Sequence, residues 1–285
     1  MFGSLKMSIK VADIDAKRSA YVVWRGFEES IEKARELGYQ GIELGLRQYE
    51  DVDFIKLSGF LSKYGMQVSS IGTGQVFSDL HLMLCDVDES RRRQAIKVVK
   101  ELINVAADFS GRINLSRVCG NCPSEALYEH AMAQLVDSIS ILTDYAETKK
   151  VMLLLEPINR YESNMLNTID QAVELIRWIP TESLGILPDL FHMNIEEADL
   201  RKSLIDNRSL IKYLHFADSN RYAPGMGHIN YQEVFDVLIE MKYSGWLCMD
   251  ILPMPTSDKA AQGAIRYLKM FMKKYEAERL SGLAT

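Results

Sequence analysis

Three carboxylates and one histidine occupy four successive apolar runs of this 285-residue chain. VMLLLEP (151–157) carries Glu156, SLGILPD (183–189) ends on Asp189, IKYLHFAD (211–218) carries His215, and GWLCMDIL (245–252) carries Asp250. A single carboxylate after an apolar strand usually caps a helix or pairs with an arginine, and a single histidine there is usually a hydrogen-bonded core group. Four on successive strands are harder to explain in that way. Buried carboxylates without partners are costly, and three crowded together repel unless a cation neutralises them. The expected chemistry is therefore divalent-metal binding by Glu156, Asp189, His215 and Asp250. Oxygen donors with one imidazole suit Mn2+, Mg2+ or Co2+ better than a thiolate-bound zinc, with Mn2+ the first expectation. Four protein ligands leave room on an octahedral ion for two substrate oxygens. Such an ion would act as a Lewis acid on an α-hydroxyketone while a nearby base removes a C–H proton.

For these groups to meet, the strands that carry them must lie side by side. Four more apolar runs precede them: SIKVA (8–12), GIELGL (41–46), QVSSIGT (67–73) and RINLSRV (112–118). The eight starts recur about 34 residues apart, the length a strand–helix unit needs. The run from Val151 to Leu155 is apolar on both faces, as a buried parallel strand requires. Helical periodicity fills the intervals. In 94–107, Ile96, Val99, Leu102, Ile103 and Ala106 fall on one face. Asn230 with Glu233 reads as a capped helix start. Glu36, Tyr39 and Gly41 are echoed at Glu240, Tyr243 and Gly245, each set closing a helix before a strand, with the glycine expected as a left-handed helix stop or tight turn. These units predict the α/β class and a single (β/α)8 TIM barrel covering residues 1–285, with the active site at the carboxyl ends of the strands. No GxGxxG or Walker A run follows any strand, which disfavours an open doubly wound sheet. No Pro/Gly/Ser-rich linker divides the chain.

Composition narrows the partners. With 33 Lys+Arg against 39 Asp+Glu the net charge is −6, which disfavours nucleic acid, whose phosphates demand a basic surface. No apolar run approaches the roughly 18–20 residues of a membrane span. The opening MFGSLKMSIK lacks the apolar region and cleavage site of a signal peptide, and four cysteines are too few for a disulfide framework. A cytoplasmic protein is expected, with a polar tail fraying after Tyr275.

Three stretches are more specific. LEPINRYE (155–162), LPDLFHMNIEE (187–197) and LHFADSNRYAPGMGHIN (214–230) resemble the ketose 3-epimerases of the xylose-isomerase-like barrel superfamily, closest to the D-tagatose and D-psicose 3-epimerase group. The resemblance is strongest over 151–252 and looser before it. It implies that Glu156, Asp189, His215 and Asp250 hold the metal. It also implies that Glu162, His192 and Arg221 contact the substrate, Arg221 and His192 by hydrogen-bonding a developing oxyanion. Glu156 and Asp250 would be the pair that removes the C3 proton of a ketose and returns it on the other face. A homodimer or homotetramer follows from the same resemblance. One departure stands out: the family normally has glutamate where MDIL (249–252) offers Asp250, one methylene shorter.

With Arg221 the only basic residue in that set, and no glycine-rich turn carrying extra Lys or Arg, the expected small-molecule substrate is an unphosphorylated sugar or sugar acid. On the same scaffold, an aldose–ketose isomerase of the hydroxypyruvate isomerase kind and an inosose dehydratase are alternatives. A non-catalytic sugar-binding barrel is a more distant one. An endonuclease IV-like nuclease is disfavoured, because its metal cluster needs more histidines than the five present. The segment 72–86, with Phe77, Leu80 and Met83, is a candidate apolar lid or a packing surface. Glu43, at the end of GIELGL, is either a supporting or substrate-contacting carboxylate or a structural ion pair. Cys119 and Cys122 form a CxxC without a second pair and are not expected to be functional. His81 and His228 are possible pocket residues, and His130 is not expected to be one.

Overall fold

The computed structural model describes residues 5–17 and 21–281. The chain opens with β1 (Lys6–Ala12) and the two-residue β2 (Trp24–Arg25), then α1 (Phe27–Leu37), β3 (Gly41–Gly45) and α2 (Phe54–Tyr64). It continues through β4 (Gln67–Gly72), α3 (Gly74–Leu80), α4 (Glu89–Phe109), β5 (Arg112–Leu115), α5 (Tyr128–Lys149) and β6 (Met152–Leu155). The last part holds α6 (Ile169–Trp178), β7 (Leu184–Ile186), α7 (Leu190–Glu196), α8 (Leu200–Asp206), β8 (Leu214–Phe216), α9 (Tyr231–Glu240), β9 (Trp246–Met249) and α10 (Ser257–Ser281).

All strand pairings are parallel, in the order β7-β6-β5-β4-β3-β1-β9-β8, with β2 added beside β1. The two ends meet. Single bridges join Ile186 to Ile211 and Asp189 to His215, and the His215 N–H donates to the Pro188 carbonyl at 2.9 Å. The sheet is thus a closed TIM barrel. Seven of the eight expected apolar runs contain one of its strands, and the first, 8–12, lies within β1, which begins at Lys6. The helical intervals are also as expected. Ile96, Val99, Leu102, Ile103 and Ala106 form the buried face of α4, and the Asn230 side chain accepts from the Glu233 N–H to cap α9.

Two local expectations are corrected. Gly41 and Gly245 do not stop helices, since neither has a positive φ. The left-handed stop of α1 is Gly38, at φ 92°. Gly41 is small because of close approach: a Cβ there would meet the Gln67 carbonyl and the Trp246 ring, each at 2.7 Å. The segment 72–86 is not an apolar lid. Leu80 and Met83 pack against the core, while Gln75 and Ser78 of α3 face the cleft. Beyond Tyr275 α10 runs on to Ser281, and 282–285 lie outside the described residues.

Gly41→Ala should therefore overpack the β3–β4–β9 junction and cost about 1–3 kcal/mol. Gly59→Ala, in α2 with nothing near its missing Cβ, should gain about 0.5–1 kcal/mol. Urea unfolding of both variants checks the contrast.

Candidate active site and metal centre

Each ligand expected from the sequence arrives at the carboxyl end of the barrel by a distinct local route. Glu156 directly follows β6, its N–H bonded to the Leu115 carbonyl of the neighbouring strand at 3.1 Å. Asp189 begins α7, where its Oδ1 accepts from the Phe191 N–H at 2.8 Å. His215 lies in the middle of β8, and Asp250 directly follows β9. All four are buried. The His215 Nδ1 lies 2.8 Å from Glu156 Oε1, 3.8 Å from Asp189 Oδ2 and 3.7 Å from Asp250 Oδ2. One donor atom from each of the four residues falls within 4.8 Å of all the others.

The imidazole is held from below. Its Nε2 lies 3.0 Å from Glu43 Oε2, and Glu43 is fully buried. The residue singled out in the sequence as supporting or merely structural is thus the partner that aims His215 Nδ1 at the cluster, the usual role of a carboxylate behind a metal-binding histidine. Beneath this layer the Tyr213 hydroxyl, from the residue before β8, joins Ser69 Oγ of β4 at 2.7 Å and Ser8 Oγ of β1 at 3.2 Å, forming a polar floor.

Charge dominates the site. Burial alone would lower the His215 pKa, but the carboxylates of Glu43 and Glu156 raise it well above its ordinary value. Asp189 is pushed up to about 7 by burial, with Glu156 and Asp250 adding to the rise and Arg221 and His215 opposing it. Asp250 goes the other way: burial opposes ionisation, but Lys10, Arg221 and His215 hold it below the usual carboxylate range. Within the cluster two buried carboxylate oxygens, Asp189 Oδ2 and Asp250 Oδ1, have no hydrogen-bond partner among the described residues. Unsatisfied anionic oxygens converging with one imidazole nitrogen are the environment a divalent cation fits. Glu156, Asp189, His215 and Asp250 could hold it.

The three expected substrate contacts surround the cluster. Arg221 donates from Nη1 to Glu162 Oε1 at 2.9 Å and from Nη2 to Asp250 Oδ2 at 3.3 Å. Its guanidinium lies 4.6 Å from the Tyr21 ring centre and 5.1 Å from that of Phe191. Arg221 adopts φ 61°, a left-handed conformation that costs a non-glycine residue about 1–3 kcal/mol. The Leu252 N–H, donating to the Arg221 carbonyl at 2.9 Å, ties this turn to the segment after β9. His192 is buried, and its Nδ1 faces the Asn159 N–H and amide at 3.2 and 2.7 Å. Burial and the nearby Arg221 keep its pKa well below the ordinary value. The neutral ring therefore presents Nε2–H as a donor, the tautomer its Asn159 partners require.

Sequence reasoning missed Lys10, Gln75, Ser116 and Arg117, all of which line the same cleft. Lys10 Nζ reaches Asp250 Oδ2 at 3.1 Å and Glu43 Oε1 at 3.8 Å. A lysine inside the apolar run SIKVA was the available signal. Arg117 lies within the run RINLSRV, but β5 stops at Leu115 and a single helical turn over Arg117–Cys119 follows. His81 and His228, the possible pocket residues, do not line the cleft, and neither do Cys119, Cys122 or His130. Cys119 and Cys122 are free thiols, and His81, His130 and His228 are exposed.

A closed parallel barrel with an acidic, imidazole-containing cluster at its carboxyl rim defines a class, and comparison with known proteins agrees. Residues 31–271 match the xylose isomerase-like TIM barrel family, and the chain belongs to it. Among its relatives, a probable ketose 3-epimerase of Synechocystis is 27% identical, the match covering 80% of this chain and 81% of that one. An L-ribulose 3-epimerase of Mesorhizobium japonicum is 30% identical over 76% of this chain and 72% of its own. The crystal structure of a Methylomonas D-allulose 3-epimerase superposes with a TM-score of 0.80 at 20% identity, covering 94% of this chain and 98% of that one. The resemblance to ketose 3-epimerases is thereby borne out, and the chain is an enzyme of the sugar epimerase and isomerase kind. Among the described residues no helix is long and apolar enough to cross a membrane.

Two stability measurements on chelator-treated protein test the electrostatic account. Lys10→Met removes a buried counter-charge and should cost about 3–5 kcal/mol. Asp189→Asn, which keeps the α7 cap, should act oppositely. A carboxyl raised in the folded state stays protonated longer there than in the unfolded chain, so stability is lost as pH rises from the ordinary aspartate range through about 7. The Asn variant should therefore gain on the wild type across that window, as read by denaturation at pH 4 and pH 8.

Proposed function

We propose that this protein is a divalent-metal-dependent ketose 3-epimerase, a single barrel domain acting on an unphosphorylated ketose. The observation that carries this reading is the convergence of Glu156, Asp189, His215 and Asp250 with two carboxylate oxygens left unsatisfied. The names of the relatives point the same way. Mn2+ is the first candidate, ahead of Mg2+ and Co2+. When bound, the cation supplies Lewis-acid stabilisation of negative charge developing on the ketose oxygens.

The chain's own residues do the rest. Glu156 removes the C3 proton, the C–H electron pair moves toward the carbonyl, and the resulting oxyanion is met by donors already in place. Those donors are Arg221, fixed between two rings and two carboxylates, and His192 Nε2–H. Such preorganised donors need not reorient as charge develops. Asp250 takes up a proton from water in the cleft and delivers it to C3 from the opposite face, while Glu156 gives the proton it removed back to water, so both carboxylates are ionised again after turnover. The Asp250 Oδ2 is engaged by Lys10 and Arg221, which leaves Oδ1 unpartnered. Glu162 holds Arg221 in place and offers its second oxygen to a substrate hydroxyl. We place the enzyme in the cytoplasm as a homodimer or homotetramer, in keeping with the resemblance.

The direct test is Mn2+-reconstituted protein in D2O with a panel of ketohexoses and ketopentoses, followed by NMR. Deuterium at C3 together with the C3 epimer is expected. Deuterium at C1 with an aldose product would instead make it an aldose–ketose isomerase, and loss of water would make it a dehydratase. Glu156→Gln and Asp250→Asn should each lower turnover about 100-fold or more. Glu43→Gln, which leaves every ligand in place, should weaken Mn2+ binding by about 10–100-fold, measured by calorimetry on the ion-free protein.

A further inference from the structure

Beyond Arg221 and Glu162 the cleft contains polar groups that neither the metal cluster nor the proton transfer uses. Arg117 is the clearest. It sits over the Phe77 ring at 5.1 Å, and its Nε is buried without a hydrogen-bond partner. Its closest charged neighbour is Glu162 Oε2 at 3.9 Å, beyond hydrogen-bond reach. Among the described residues the Arg117 guanidinium donates no hydrogen bond. Beside it on the cleft wall stand the Gln75 amide and the Ser116 hydroxyl, both more than nine-tenths buried and likewise without a hydrogen bond among the described residues. These three side chains present donors to the cleft and receive nothing from the protein. Buried donors are normally satisfied, so a set left open at a cleft wall points to a ligand oxygen.

Charge order along the cleft says which kind of ligand. Asp250 pairs with Arg221, Arg221 with Glu162, and Glu162 faces Arg117. Arg221 is shared between Glu162 and Asp250, and Arg117 meets Glu162 only at 3.9 Å, so among the described residues its fork stays open to a ligand oxygen. It is set apart from the metal cluster by one guanidinium and one carboxylate. A planar fork with neutral donors on either side matches a planar monoanion. A phosphate dianion would bring twice the charge to a single cation with Glu162 nearby.

We propose that Arg117, with Gln75 and Ser116, forms a subsite for a terminal carboxylate, so that the preferred substrate is a ketose acid rather than a neutral ketose. This rests on the ketose-epimerase reading above. The metal cluster would hold the C2–C3 end and Arg117 the far carboxylate. Stacking on Phe77 fixes the guanidinium before the ligand arrives, which lowers the entropic cost of binding it.

The test compares three sugars that differ only at C6: D-fructose, D-fructuronate and D-fructose 6-phosphate. Binding to the Mn2+-loaded protein is read by calorimetry, and turnover by C3 exchange in D2O. The wild type should bind D-fructuronate about 10–100-fold more tightly than D-fructose, the range a charge-assisted bidentate contact supplies. Arg117→Met should collapse that ratio to near one, and Arg117→Lys, which keeps the charge but not the fork, should retain part of it. Equal affinity of the wild type for D-fructose and D-fructuronate would overturn the proposal, as would an unchanged ratio in folded Arg117→Met. Preference for D-fructose 6-phosphate over D-fructuronate would overturn the carboxylate assignment. A carboxylate preference in binding without exchange at C3 would support the subsite while counting against the epimerase reading, so the two can fail separately.

Discussion

Everything at the carboxyl rim follows from packing several carboxylates around one buried imidazole. Glu43, Glu156, Asp189 and Asp250 all lie in the barrel interior near His215, where charges lose their hydration and interact far more strongly than in water. Protein cations only partly offset this. Lys10 serves Asp250 and Glu43, and Arg221 serves Asp250 and Glu162, while Asp189 Oδ2 has no hydrogen-bond partner among the described residues and only His215 at 3.8 Å. The site is built short of positive charge. That deficit is why a divalent cation fits, and why the ion-free protein gives up some stability for function, as active sites commonly do.

Barrel closure and site assembly are one event. The bridge that completes the β7–β8 seam pairs Asp189 with His215, so the sheet cannot close without bringing two of the four donors together. The β1–β9 register ends with Ile9 opposite Met249. The next residues along those strands are Lys10 and Asp250, which explains their contact as a cross-strand pair. Even the irregularity in the β3–β4 pairing falls between Ile42 and Glu43, beside the carboxylate that supports His215. Bulges commonly re-aim a side chain next to a site.

The parts legible in the sequence were those governed by short periods. Strand repeats, apolar helix faces and the Asn230 cap are local signals, and the rim rule for parallel barrels turns strand ends into candidate ligands. Glu156, Asp189, His215 and Asp250 are therefore readable from the sequence as candidate ligands. What escaped depended on direction and not on type. Gly41 looked like a helix stop, but its requirement comes from Trp246, more than 200 residues away. Arg117 looked like part of a strand, and only the early end of β5 turns it toward the cleft. The segment 72–86 looked apolar because Phe77, Leu80 and Met83 stand out in it. Folding puts Leu80 and Met83 into packing and Phe77 under Arg117, which leaves Gln75 and Ser78 to face the ligand.

Asp250 joins these observations. A glutamate on this strand would carry its carboxylate one methylene further into the cleft. The aspartate instead keeps its carboxylate close to β9 and within reach of β1, where Lys10 meets it. With Oδ2 fixed by Lys10 and Arg221, only Oδ1 remains open toward the cleft, so the shorter side chain is held in one orientation by two cations from different elements. Position lost through the missing methylene is partly regained as rigidity, and rigidity is what a group acting at a single carbon requires. Lys10 and Asp250 are then best understood as one unit, and changing either residue alone would disturb both the charge balance of the cluster and the placement of that free oxygen.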